Sequence, residues 1–429
     1  MEKALDHADG SRTPPGHELT ETPLPLARTD WLNRERILAW SGILLALDVL
    51  FYLFMVLWHH GLVVPLESPT TTDFVSFYAA GKLALAGTPA LAYDQAAHAA
   101  AEIAATAPGV GYNFFFYPPV FLLLCAPLAM FPYVAAFVLF QALTFPLWLL
   151  VMHRLLRPRG WSWCLPVLAF PAVFWTLGFG QNSFLTAALL GGMTLLLDER
   201  PVAAGVSLGL MCYKPHLALL APVALAAGGH WRTFVAAAAT VAAVVGLSVA
   251  LFGLDTWRAY LIAFAGSSAV YETGRVGMAG FVTPYGAARL LGAGADAARL
   301  LQAAVSLLVA GIVAWIWRRD PGPAERSAAL AAGILLFVPL ALVYDLLLLT
   351  VAFGWLVRAS RSTGFFAWEK LAMFFCFLVS ISSRHFGQAT GIPLGPLAPA
   401  ALLALCVVRT RHVLYQPAGR LTHQVPPQG

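Results

Sequence analysis

Long apolar runs alternate with short polar connections along nearly the whole chain, and each run reads as a helix crossing or buried in a membrane. The first run, Ile37 to Trp58, spans 22 residues and is flanked by Arg34 and Arg36. Val120 to Met130 is too short to cross and is punctuated by Pro118, Pro119, Pro127 and Pro132. It reads as a re-entrant or interfacial segment ahead of a span from Tyr133 to His153. Further apolar runs fall at 163–178, 182–197, 201–213, 216–228, 232–252, 300–317, 327–343, 345–357, 368–382 and 394–408. Several are shorter than the ~17–25 residues of a clean span, which predicts broken or tilted helices. The expectation is an all-α polytopic membrane protein with about twelve transmembrane helices.

Two longer connections, 59–117 and 253–298, interrupt this pattern. In the first, Phe74, Phe77, Tyr78 and Leu85 share a helical face, and Ala96 to Thr106 is helix-prone. Two short helices lying at the membrane interface fit that pattern. Residues 1–33 and 413–429 lack apolar periodicity and read as disordered tails around one unit, 34–412.

Composition narrows the class further. Of 429 residues, 59% are hydrophobic and 11% charged, with a mean hydropathy of +0.74. Soluble domains carry about 25% charged residues, so a soluble protein is excluded. A net charge of +5 could suggest nucleic acid, but the basic residues are scattered over short connections between spans. Membrane orientation explains that scatter better. The five cysteines form no C-x-x-C pair, so neither a disulfide framework nor a zinc site is signalled. No small-residue cleavage pattern follows the first run, which therefore reads as a retained span. With both termini cytoplasmic, the inside segments hold Arg154, Arg157, Arg159, Arg200, Arg232, Arg318, Arg319, Arg326, Arg358, Arg361, Lys370, Arg409 and Arg411. The outside segments hold Lys82, Lys214, Arg258, Arg275, Arg289 and Arg384, and both long connections fall outside.

Under this topology the polar groups that break apolar sequence gather on the outer side. They are Asp73; Gly180-Gln181-Asn182; Tyr213-Lys214-Pro215-His216; Tyr344-Asp345; and Arg384-His385. Such groups cost roughly 2.5–3.5 kcal/mol each near a helix centre on insertion scales, so their convergence points to an outward-facing site. The residue types suit sugar transfer from a polyprenyl phosphate. Lys214, His216, Arg384 and His385 are the cations available to a departing phosphate, and Asp73 is the carboxylate best placed to take the acceptor's proton. Tyr78, Tyr117, Gln181, Asn182 and Asp345 are the candidate sugar or acceptor contacts. No D-x-D motif is present, which argues against a metal-dependent nucleotide-sugar mechanism.

At these residues the chain resembles glycosyltransferase family 87, a group within the GT-C superfamily that includes polyprenyl-phosphate-mannose-dependent mannosyltransferases. The matching elements are Asp73-Phe74-Val75-Ser76-Phe77-Tyr78 with Gly81 and Gly87, Tyr93-Asp94, Phe116-Tyr117-Pro118-Pro119 with Pro127-Leu128, Gly180-Gln181-Asn182, Lys214-Pro215, and Val343-Tyr344-Asp345-Leu346. They run from about residue 70 to 350. The resemblance implies a GT-C-like bundle with the catalytic acidic residue in the first outer loop, at Asp73. It further implies inversion at the sugar, no metal or other cofactor, and a lipid-linked hexose donor of the mannose type. The site would face the periplasm of a bacterial inner membrane, with a lipid or glycan hydroxyl as acceptor. Some relatives carry a histidine in a late outer segment where this chain reads Val343-Tyr344-Asp345, which leaves His216 or His385 to take that place.

Each residue also has a plainer reading. Asp73 is a favoured N-cap for a helix starting at Phe74. Gly-Gln-Asn is a natural tight turn, Lys214-Pro215 a helix break with a snorkelling lysine, and Arg384-His385 a span-end anchor. Asp345 could satisfy a structural hydrogen bond, and His59-His60 reads as an interfacial pair. The run Phe114 to Tyr117 fits an aromatic belt or a sugar pocket equally. A lipid-linked-sugar transporter or flippase without catalysis is the alternative function, although no internal repeat supports it. An acyltransferase lacks a G-x-S-x-G motif.

Overall fold

The computed structural model describes residues 31–58, 71–158, 160–272 and 277–415. Most of both expected tails, His59-His60, Arg159 and Arg275 lie outside the described residues. The described residues form a helical body, and among them the only β pairing is one isolated bridge, Phe281 to Leu342. The chain opens with α1 (Arg34–Trp58), α2 (Phe74–Leu85), α3 (Gln95–Ala105), α4 (Leu122–Leu128) and α5 (Tyr133–Leu156). The middle holds α6 (Cys164–Leu168), α7 (Pro171–Phe179), α8 (Ser183–Leu196), α9 (Pro201–Gly209), α10 (Leu220–Ala227), α11 (Trp231–Phe252) and α12 (Leu254–Glu272). The last third holds α13 (Pro284–Leu290), α14 (Ala295–Arg319), α15 (Pro323–Phe337), α16 (Leu349–Thr363), α17 (Glu369–Thr390) and α18 (Leu397–Tyr415).

Among the described residues, six helical stretches are individually long and apolar enough to cross a membrane: α1, α5, α11, α14, Val343–Thr363 and α18. The protein is an integral membrane protein. The remaining apolar runs, half of the expected twelve spans, fall on shorter or less apolar helices, and the breaks have local causes. The run 163–178 is split between α6 and α7, where Pro171 begins a new helix. A left-handed Gly180 (φ +67°) ends α7, and Lys214-Pro215 separates two 3-10 turns, Leu210–Tyr213 and Pro215–Ala218. The segment 119–128 forms only a 3-10 turn and the seven-residue α4, too short to cross. The expected outer connection 253–298 contains the 19-residue α12 and the short α13.

The two helices expected in the first long connection are present as α2 and α3, but α2 is not half exposed. Every residue from Phe74 to Gly81 is buried. Its Phe74 and Phe77 rings pack edge-on and stacked against Phe121, Phe137 and Phe140. Gly81 lets α2 close on α4, since a Cβ there would sit 2.3 Å from the Cys125 carbonyl oxygen. Asp94 accepts from the Ala97 N–H at 2.8 Å and so caps α3.

The main core gathers around α8, α15 and α16, with Trp148 of α5 and Trp317 of α14 fully enclosed. The outer surface of α1 carries Leu47, Leu50, Phe51, Phe54 and Leu57, exposed and apolar as a lipid-facing helix requires. The helices α5, α8, α15 and α16 run between two ends of opposite character. One end collects arginines: Arg361 donates to the Arg157 carbonyl, Arg326 pairs with Asp198 and Asp320, and Arg409 pairs with Glu325 and Glu369. The other end holds Asp73, Gln181, Lys214 and Asp345.

Candidate functional site

The site is built from four chain breaks brought to one end of the bundle. Asp73 stands at the N-terminus of α2 with helical backbone angles, and its side chain makes no capping hydrogen bond. Thr71 and Thr72 hold the approach to it by sharing the Tyr133 hydroxyl of α5 at 3.1 and 3.0 Å. The Asp73 carboxylate instead accepts from Gln181 Nε2 at 2.8 Å. Gln181 can reach it because Gly180 turns the chain through the left-handed region, where a Cβ would strike Phe74 and Phe137 at 2.8 Å. The Tyr117 hydroxyl donates to the other end of the same amide, Gln181 Oε1, at 3.4 Å. Tyr117 is fixed in turn by Tyr93, whose hydroxyl donates to the Tyr117 carbonyl at 2.9 Å.

Beside this group lies a buried ion pair. Lys214 Nζ is 2.6 Å from Asp345 Oδ1, with both residues almost wholly enclosed. Lys214 also donates to Asn182 Oδ1 at 3.4 Å, and its ammonium lies 5.3 Å above the Tyr344 ring centroid. Asp345 is saturated: it accepts from Ser183 Oγ at 3.2 Å and from the Leu342 N–H at 3.1 Å. The strand-like pairing of Val282 N–H with the Ala341 carbonyl and of Thr283 Oγ1 with the Pro339 carbonyl braces this segment.

Burial pushes the Asp73 carboxyl above its usual range, while the Gln181 hydrogen bond and the charges of Arg384 and Lys214 pull it back. The Asp73 carboxylate therefore sits buried within the field of two cations. The Arg384 guanidinium lies 5.0 Å from the Phe179 ring and 5.9 Å from that of Trp175, and among the described residues it forms no ion pair. His216 is half-buried within electrostatic reach of Lys214 and Asp345.

Of the sequence candidates, the structure joins Asp73, Tyr117, Gln181, Asn182, Lys214 and Asp345 directly, with Arg384 and His216 at the margin. His385 is exposed on the far side of Trp175, ring centroids 5.5 Å apart. Tyr78 is placed elsewhere: its hydroxyl donates to the Phe131 carbonyl at 2.9 Å and its ring packs on Tyr133. Five residues of helix turn it about 140° away from Asp73, the opposite side of α2. Ser183 carries no signal of its own in the sequence, since serines at helix ends are common, and Tyr93 stands out only as part of the family-like Tyr93-Asp94 pair, not as a site residue. Among the described residues no group of three or more His, Cys, Asp or Glu side chains is arranged to hold a metal ion.

The family model for glycosyltransferase family 87 matches residues 115–342, more than half of the chain. The chain belongs to this family. The matched stretch contains Tyr117, Gln181, Asn182, Lys214 and His216 and ends three residues before Asp345. Asp73 and Arg384 lie on either side of it and are tied to it by the contacts above. No curated protein and no solved structure matches the chain. This glycosyltransferase thus has a membrane-embedded helical body, a sugar donor and an acceptor, and a polar cluster to which the family-matched stretch and its two flanks both contribute.

Proposed function

We propose that this glycosyltransferase moves a hexose, mannose by the family resemblance, from a polyprenyl-phosphate sugar to a hydroxyl of a lipid or glycan. In this reading Asp73 is the catalytic base and the fold is GT-C-like. The observation that carries the proposal is the Asp73 carboxylate, released from helix capping, held by Gln181, and raised in basicity by burial. The acceptor oxygen attacks the sugar C1 from the face opposite the phosphate. The C1–O(phosphate) bond breaks with inversion, the polyprenyl phosphate leaves with the bonding pair, and the acceptor proton passes to Asp73.

Arg384 suits the phosphate, because its charge has no carboxylate partner and sits against aromatic faces. A cation aimed at the leaving group acts on charge that develops in the transition state. Lys214 is already compensated by Asp345, so its reading is subtler: it orients Asn182 and adds a positive field at Asp73. The arginine-rich end opposite the site supports an orientation with both termini cytoplasmic and the site on the outer, periplasmic face of a bacterial inner membrane. The polyprenyl chain would lie among the helices in the bilayer, and no metal is needed for the step as written.

The test is transfer of labelled sugar from polyprenyl-phosphate mannose to extracted membrane lipids by the purified protein and by Asp73→Asn, with folding of both confirmed. The base assignment expects wild-type transfer and a loss of about 10²–10⁴-fold in the variant. Undiminished transfer by Asp73→Asn would sink that assignment.

A further inference from the structure

Far from Asp73, at the arginine-rich end, α1, α5, α6, α16 and α17 line a half-open cavity of about 370 Å³ that the glycosyl-transfer reading does not use. Its wall is apolar along its depth, with Trp40, Phe170, Phe353, Phe374 and Phe377 contributing. Two cationic side chains, Arg361 and Lys370, join the lining at one end. Along α16 the lining runs from Arg361 inward to Thr350, eleven residues or about 16 Å of helix. One leaflet of a ~30 Å hydrocarbon core is about 15 Å deep. The cavity is therefore one leaflet deep, apolar where an acyl chain lies and cationic where a headgroup lies.

We propose that this cavity holds one anionic diacyl phospholipid of the leaflet at the arginine-rich end, with an acyl chain between α1 and α16 and its phosphate at Arg361 and Lys370. The charge at the rim is available for that role. Arg361 is exposed, and its Nη1 donates to the Arg157 carbonyl at 2.9 Å, a neutral partner that leaves its charge uncompensated. Lys370 Nζ lies 5.4 Å above the Phe365 ring. Among the described residues neither forms an ion pair, and Glu369, the carboxylate adjacent in sequence to Lys370, is held by Arg409 at 2.8 Å. An anion at this rim thus meets two uncompensated cations, the recognition pattern of basic pockets between transmembrane helices. The α1 helix, which forms one wall, buries little of its own surface in the bundle, so the lipid would also complete its packing.

The test is native mass spectrometry of the protein, delipidated in detergent and titrated with phosphatidylglycerol, phosphatidylcholine or undecaprenyl phosphate, for the full wild-type chain, Arg361→Gln/Lys370→Gln, Val357→Trp and a chain lacking residues 1–30. Val357 lines the cavity, so the tryptophan fills it while both cationic side chains are kept. The expected result is a single tightly retained phosphatidylglycerol. Its affinity falls about thirtyfold in the double variant, from roughly 1 kcal/mol per cation, while Val357→Trp blocks it. Thermal unfolding of each variant confirms that loss of binding is not loss of fold. Equal retention of phosphatidylcholine, binding unchanged in both variants, or preferential loading of undecaprenyl phosphate would each overturn the assignment. So would loading only after deletion of residues 1–30, which would make the chain's own N-terminal segment the occupant.

Discussion

Replacing Asp345 with leucine separates what the Lys214–Asp345 pair does for stability from what it does for chemistry. Both groups are nearly enclosed, Lys214 at 4% and Asp345 at 2% exposure, and they meet at 2.6 Å. Asp345→Leu leaves an ammonium in an apolar site, and removing one partner of a buried pair costs about 3–5 kcal/mol. The Leu342 N–H and Ser183 hydroxyl also lose their acceptor, each a further loss of about 1 kcal/mol. The companion Lys214→Met/Asp345→Leu keeps volume and removes both charges, and such swaps are often neutral in stability. Equilibrium unfolding in mixed micelles should therefore show the single variant at least ~3 kcal/mol below wild type and the double variant recovering most of it. Measured alongside, sugar transfer should stay low in the double variant, because the positive field at Asp73 and the Asn182 contact are gone. A single-variant cost of ~0.6 kcal/mol, that of an ordinary interhelical hydrogen bond in a membrane, would refute the buried-charge reasoning.

The remaining predictions concern polar groups of the first long connection and the Gln181 that meets it. Because Gln181 donates to the charged form of Asp73, Gln181→Ala should move the acid limb of the pH–rate profile to higher pH; an unmoved limb would mean that Asp73 does not set it. Burial holds Glu102 at about 8 and drops His98 to about 4, with the pair 3.6 Å apart beneath α2. The raised Glu102 contributes stability that is full below about 4.5 and lost as pH rises through about 8. The lowered His98 contributes stability above about 6.5 that is lost towards pH 4. The two oppose each other between these ranges, leaving pH 6.5–8 as the window where stability falls, by up to about 1.4 kcal/mol per pH unit. Unfolding free energies measured across that window should show the slope in wild type and a flatter one in Glu102→Gln.

The apolar periodicity by itself determined that this is a helical membrane protein, that α2 and α3 lie in the first long connection, and where the polar breaks fall. Those features are local: hydropathy, helix length and the turn chemistry of Gly, Pro and Asn act within a few residues. Side-chain chemistry singled out Asp73, Gln181, Lys214 and Asp345 as unusual at such positions. It did not reveal which of them touch, because Gln181 and Asp73 are 108 residues apart and Lys214 and Asp345 are 131 apart. Only the packing of α5, α8 and α15 decided that Asp73 bonds an amide rather than capping its helix, and that Lys214 spends its charge on a carboxylate. The packing of α3, α4 and α5 around α2 buried Phe74 to Gly81 on every side, overriding the amphipathic surface helix that its spacing suggests. Tyr78, five residues along that helix, shows the limit most directly: the helix is legible in the sequence, but which side of it faces the site follows from what packs against it.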